Sequence, residues 1–146
     1  MSIKSILEQK GSNVVTIRPG ASVKTAADLM RRERIAALML TSGDSIVGVF
    51  TERDLVAAVS EFGQAALSLN VEQVSSRTVI PIAPRDSVKT AMSLMTRYRV
   101  RHLPVIENGR LHGIVSIGDV VKSRLDDLQT ESNVLRDAYL AAQPVH

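Results

Sequence analysis

The sequence predicts an α/β (α+β) fold of two β-α-β-β-α units packed face to face with pseudo-two-fold symmetry, followed by a C-terminal helix. Three observations predict it. One stretch of the chain recurs in register 65 residues later. Each copy carries an apolar stripe at helical spacing, and each then carries two short apolar runs separated by a polar turn.

The repeat is read first. Ser22-Val-Lys-Thr-Ala26 returns letter for letter as Ser87-Val-Lys-Thr-Ala91. The same displacement superposes Ile17 on Ile82, Pro19 on Pro84, Leu29-Met30 on Leu94-Met95 and Arg32 on Arg97. It then places Arg34 on Arg99, Leu38 on Leu103, Gly48 on Gly113, Thr51 on Ser116 and Asp54 on Asp119, without a gap. The chain divides accordingly into an N-terminal helical or linker segment (1–13), a first repeat (14–62), a connector (63–77), a second repeat (78–124) and a C-terminal helix with a loose tail (125–146).

Each element has a local cause. An extended segment, 14–18 or 79–83, leads to a proline, where helix is disfavoured. Ser22 or Ser87 then stands where an N-cap is wanted. Val23, Ala26, Ala27 and Met30 share one face of the helix that follows, as do Val88, Ala91, Met92 and Met95. The apolar run 35–40 or 100–106 is short enough for a buried strand. A turn, Ser42-Gly-Asp44 or Glu107-Asn-Gly109, leads to its antiparallel partner, and Asn-Gly is a strong hairpin signal. A second helix starts near Thr51 or Ser116. One unit buries too little to stand alone, so two must pack together. In the connector, residues 71–74 suit a helical turn.

Composition narrows the function. The chain has 146 residues, 45% of them hydrophobic, with two Phe, two Tyr, no Trp and no Cys. The core is therefore aliphatic, and disulfides, thiolate catalysis and cysteine metal sites are excluded. Residues 1–10 lack a long apolar run and carry charges, so neither a signal peptide nor a membrane span is expected, and a soluble cytoplasmic protein is. The formal charge is +3, but the cations are spread over both halves without aromatic interleaving, so nucleic-acid binding is not expected. No nucleophile–base pair, tuned carboxylate pair or metal cluster is legible. Non-enzymatic function without a metal or an obligatory cofactor is the expectation.

The strand-to-helix junctions carry the chemistry. A Thr or Ser followed three residues later by Asp at a helix start offers a hydroxyl, backbone amides and a carboxylate together. Helix N-termini attract phosphate, and a carboxylate can accept from vicinal ribose hydroxyls. The same pattern also serves as a plain N-cap with an acidic residue favouring the helix dipole.

The repeat order, its doubling, and the junctions Gly48-Val-Phe-Thr-Glu-Arg-Asp54 and Gly113-Ile-Val-Ser-Ile-Gly-Asp119 resemble the tandem pair of cystathionine-β-synthase-type (CBS) domains. Tyr98-Arg-Val-Arg-His-Leu-Pro-Val-Ile106 is similar to the small stand-alone bacterial members. The resemblance implies two clefts between the repeats, each able to hold an adenosine nucleotide such as AMP, ADP, ATP, NAD(H) or S-adenosylmethionine. It assigns Asp54 and Asp119 to ribose hydroxyls, and Thr51 and Ser116 to ribose or phosphate. Adenine is assigned to walls near Val15, Ile35, Ala36 and Ala37 in one cleft, and near Ile80, Val100, Arg101, His102, Leu103 and Pro104 in the other. Arg53, Arg101 and His102 make the cleft at Thr51 and Asp54 the better phosphate site. The cleft at Ser116 and Asp119, with Ala36 and Ala37, lacks those cations.

Past Val120 an apolar series runs on through Val121, Leu125, Leu128, Ser132, Leu135 and Tyr139 at heptad-like spacing. It either packs back on its own domain or pairs with a second subunit, and the resemblance implies a homodimer. Pro144 is expected to end the helix. A regulatory module signalling to a separate effector protein is the leading functional reading. The alternative is a ligand-independent scaffold acting through its dimer surface or C-terminal helix.

Overall fold

A computed structural model describes residues 1–11 and 13–143. The expected end of the helix at Pro144 and the loose last residues lie outside the described residues. The first half contains α1 (Ile3–Lys10), β1 (Thr16–Ile17), α2 (Val23–Glu33), β2 (Ala37–Ser42), β3 (Ser45–Thr51) and α3 (Glu52–Phe62). A 3₁₀ turn (Gly63–Ser68) and α4 (Val71–Val74) form the connector. The second half contains α5 (Val88–Tyr98), β4 (His102–Glu107), β5 (Arg110–Ser116) and α6 (Ile117–Ala142).

The 65-residue displacement survives into hydrogen bonds. Ile17 on β1 pairs in parallel with Leu40 on β2, and Ile82 bridges Val105 in the same sense. Each hairpin slips register at one place, Leu40/Thr41 in the first and Val105/Ile106 in the second. Ser22 and Ser87 cap α2 and α5 by accepting from the amides of Thr25 and Thr90. Both helices end on a left-handed arginine, Arg34 at φ 55° and Arg99 at φ 53°. The second hairpin turns through Asn108 and Gly109, both at positive φ, as its sequence demands.

The N-terminal segment is an integral helix and not a linker. Ile3, Ile6 and Leu7 are buried with Val88, Ala91, Met95, Leu103, Val105 and Val115 in the core of the second repeat. Val71 of α4 is buried in the core of the first repeat. The two short helices are docked alike: Ser2 bridges Ser87 as Asn70 bridges Ser22, and the amides of Val88 and Val23 donate to Met1 O and Leu69 O. Each repeat thus takes one helix from the segment that precedes the other.

Candidate functional site

Both junctions form complete capping boxes. Thr51 N–H donates to Asp54 Oδ2 at 2.9 Å, and Asp54 N–H donates back to Thr51 Oγ1 at 3.3 Å. Ser116 N–H donates to Asp119 Oδ2 at 2.8 Å, and Asp119 N–H to Ser116 Oγ at 3.2 Å. The N–H of Glu52 donates to Ala36 O, and that of Ile117 to Arg101 O. The expected supply of free amides is therefore smaller than the motif suggests. In the first turn of α3, Arg53 N–H is the donor left without a protein partner among the described residues.

An open cleft of about 900 Å³ lies over the first junction, between the repeats. Thr51, Glu52, Arg53 and Asp54 form its floor. Ser76, Thr78, Val79 and Ile80, the extended chain after α4, form one wall, and Arg99, Val100, Arg101, His102 and Pro104 form another. Strand alternation decides which residues reach it. His102, half-buried, lines the cleft and Pro104, though buried, lies beneath it, whereas the Leu103 side chain between them packs into the core of the second repeat. Leu103 can offer a ligand only its backbone.

The expected residues divide as follows. Thr51, Arg53, Asp54, Ile80, Val100, Arg101, His102 and Pro104 are brought together in the cleft, and Ala36 joins them there, on the side opposite to expectation. Val15 and Ile35 pack against the first core instead, and Ala37 is buried. Sequence reasoning missed Arg99, the left-handed cap that adds a third arginine to this cleft, and Met39, buried beneath it at the repeat position of Pro104. Arg99 was visible in the basic run; Met39 was hidden by its place in a uniformly apolar strand.

The second junction has a different surround. Lys10, at the end of α1, reaches Asp119 Oδ2 at 2.7 Å and also donates to Ile114 O at 2.8 Å. Burial pushes the Asp119 carboxyl up, but the hydrogen bond from Lys10, those from Ser116 and the charge of Lys10 outweigh it, so it stays below the ordinary carboxylate value. His102 lies within the reach of both junctions. Burial lowers its pKa first, and Lys10 and Arg101 lower it further, against the opposing pull of Asp119 and Glu52. Among the described residues no cluster of His, Cys, Asp and Glu could hold a metal ion. No described helix is long and apolar enough to cross a membrane.

A tandem pair of βαββα units with capped junctions opening on an inter-repeat cleft defines a class of regulatory module. The sequence matches the CBS domain family twice, over residues 4–61 and 71–126, and the chain belongs to that family. A CBS-domain-containing protein from Agrobacterium tumefaciens is 42% identical, with a TM-score of 0.83 covering 85% of this chain and 99% of that one. The CBS domain-containing protein YhcV of Bacillus subtilis is 25% identical over 125 residues, 86% of this chain and 89% of its own. A CBS domain protein from Pyrobaculum aerophilum, solved in complex with AMP, is 25% identical with a TM-score of 0.73, covering 82% of this chain and 89% of that one.

Proposed function

We propose that this chain is a non-catalytic sensor that binds an adenosine nucleotide in the cleft over Thr51 and Asp54 and passes the signal to a separate effector protein. The observation that carries this reading is the company kept by Asp54. Both hydrogen bonds from Thr51, including the hydroxyl contact at 3.1 Å, fall on Oδ2, so Oδ1 is available to a ribose diol. Arg53, Arg99 and Arg101 line the same cleft, and three guanidinium groups beside a helix N-terminus favour a phosphate. Val79, Ile80 and Val100, each half-buried, supply an aliphatic wall for a base. The Pyrobaculum relative's AMP supports the ligand class. Switching then requires that the ligand favour one arrangement of the repeats over another.

A thermal-shift panel with AMP, ADP, ATP, NAD⁺, NADH and S-adenosylmethionine, confirmed by calorimetry, tests this. A ligand at a hundredfold excess over its Kd adds about 2.7 kcal/mol to stability, which is readily seen. Absence of a shift with every ligand, in protein shown to carry no nucleotide, would move the reading to the ligand-independent scaffold.

A further inference from the structure

Helix α6 does not fold back. Its last buried side chain is Ser123, yet it runs unbroken to Ala142. At 1.5 Å per residue the projecting part extends for roughly 27 Å. A helix of that length standing in water gains little from its own backbone and needs a packed face.

The face is present and regular. Val121, Leu125, Leu128, Ser132, Leu135, Tyr139 and Ala142 follow one another at alternating steps of four and three. Leu125 is 60% exposed, Leu135 72% and Tyr139 65%. Asp126, Thr130, Asn133 and Asp137 face away from this seam, with Val134 and Leu140 as the apolar exceptions. Such a seam fits a second copy of itself, because knobs from one helix enter holes made by the same residues of the other.

Charge sets the direction. Glu131 and Arg136 flank the seam on opposite sides, five residues apart. In a parallel, in-register pair each Glu131 meets the Arg136 of the other copy, and this happens on both sides. Antiparallel pairing about Ser132 brings Glu131 against Glu131, which is repulsive.

We infer that residues 125–142 join two copies of this chain as a parallel, in-register two-helix coiled coil. The seam lies mostly beyond the residues matched by the domain family, and the inference is independent of the nucleotide reading.

The absence of cysteine makes the test clean. Single variants Leu125→Cys, Tyr139→Cys and, on the outer face, Thr130→Cys are made in the full chain. Each is checked by circular dichroism and oxidised with oxidised glutathione, and wild type is sized by sedimentation. The expected result is a species of twice 15.9 kDa. Leu125→Cys and Tyr139→Cys should each cross-link to themselves at least about tenfold faster than Thr130→Cys, because pairing raises the effective thiol concentration. Leu135→Cys replaces either seam variant that loses helix. A monomer in sedimentation overturns the inference, as does equal cross-linking at Thr130→Cys. Cross-linking only in a mixture of Leu125→Cys with Tyr139→Cys overturns the parallel direction.

Discussion

The two junctions are built almost atom for atom alike, and their surroundings make them different sites. Each carries a hydroxyl cap, an aspartate at the third helical position and a first amide tied to a carbonyl of the preceding loop. The divergence begins in the short helices docked beside them. After a shared start, α4 stops within four residues and the chain runs extended past Ser76, whose amide and carbonyl pair with Val49. Helix α1 continues for eight residues, lays Leu7 on Gly113 and delivers Lys10 to Asp119. The first junction is therefore walled by extended chain, whereas the second carries an ammonium group on Asp119 Oδ2, the same oxygen that Ser116 N–H uses. Duplication sets the scaffold, while the segments outside the clearest repeat set what surrounds each junction.

The largest effect separating the clefts should come from their aspartates. Asp54→Ala removes a charge-assisted contact worth about 1.5–3 kcal/mol, so calorimetry should show AMP binding weakened by about ten- to a hundredfold. Asp119→Ala should leave that affinity within about twofold. Equal losses in both variants would mean that the two junctions act as one site.

A smaller effect should follow from freeing Asp119. The Lys10–Asp119 pair is partly exposed, so solvent screens its attraction to about 1 kcal/mol. Lys10→Met should strengthen nucleotide binding at the second cleft on the order of fivefold and raise the bound equivalents per chain. An unchanged stoichiometry would show that the shape of the second cleft, and not Lys10, excludes ligand.

What was legible in the sequence at each junction, and what was not, follows from the same residues. Ser22 and Ser87, Gly48 and Gly113, and Thr51 and Asp54 with their counterparts act through local backbone geometry, and local geometry is written in spacing. Strand alternation was legible in principle, and it would have removed Leu103 from the cleft beside His102 and Pro104. Lys10 was not legible. Its partner Asp119 lies 109 residues away, and the link exists only because Ile3, Ile6 and Leu7 bury themselves in the second repeat. Ala36 shows the same limit: its position in the repeat is fixed by register, but which cleft it faces depends on how the repeats dock.

The smallest effect is electrostatic and reads the boundary between the clefts. The folded pKa of His102 is depressed, chiefly by burial and then by Lys10. Between that value and the ordinary one near 6.5, the unfolded chain binds more protons, so stability must fall as pH drops through this window and level off below it. Asp119 acts in a lower window: its contribution is present above the ordinary carboxylate value of about 3.9 and is lost as pH falls through its depressed folded value. His102→Asn should flatten the upper window while leaving the lower one intact, as measured by denaturant melts across pH. Lys10→Met should move the His102 titration, followed by NMR of its ring protons, towards higher pH, because a positive neighbour has gone. It should also move the acid limb from Asp119 upward. A His102 titration indifferent to Lys10 would place that ring with the first cleft alone, and the second junction would then be electrostatically isolated from it.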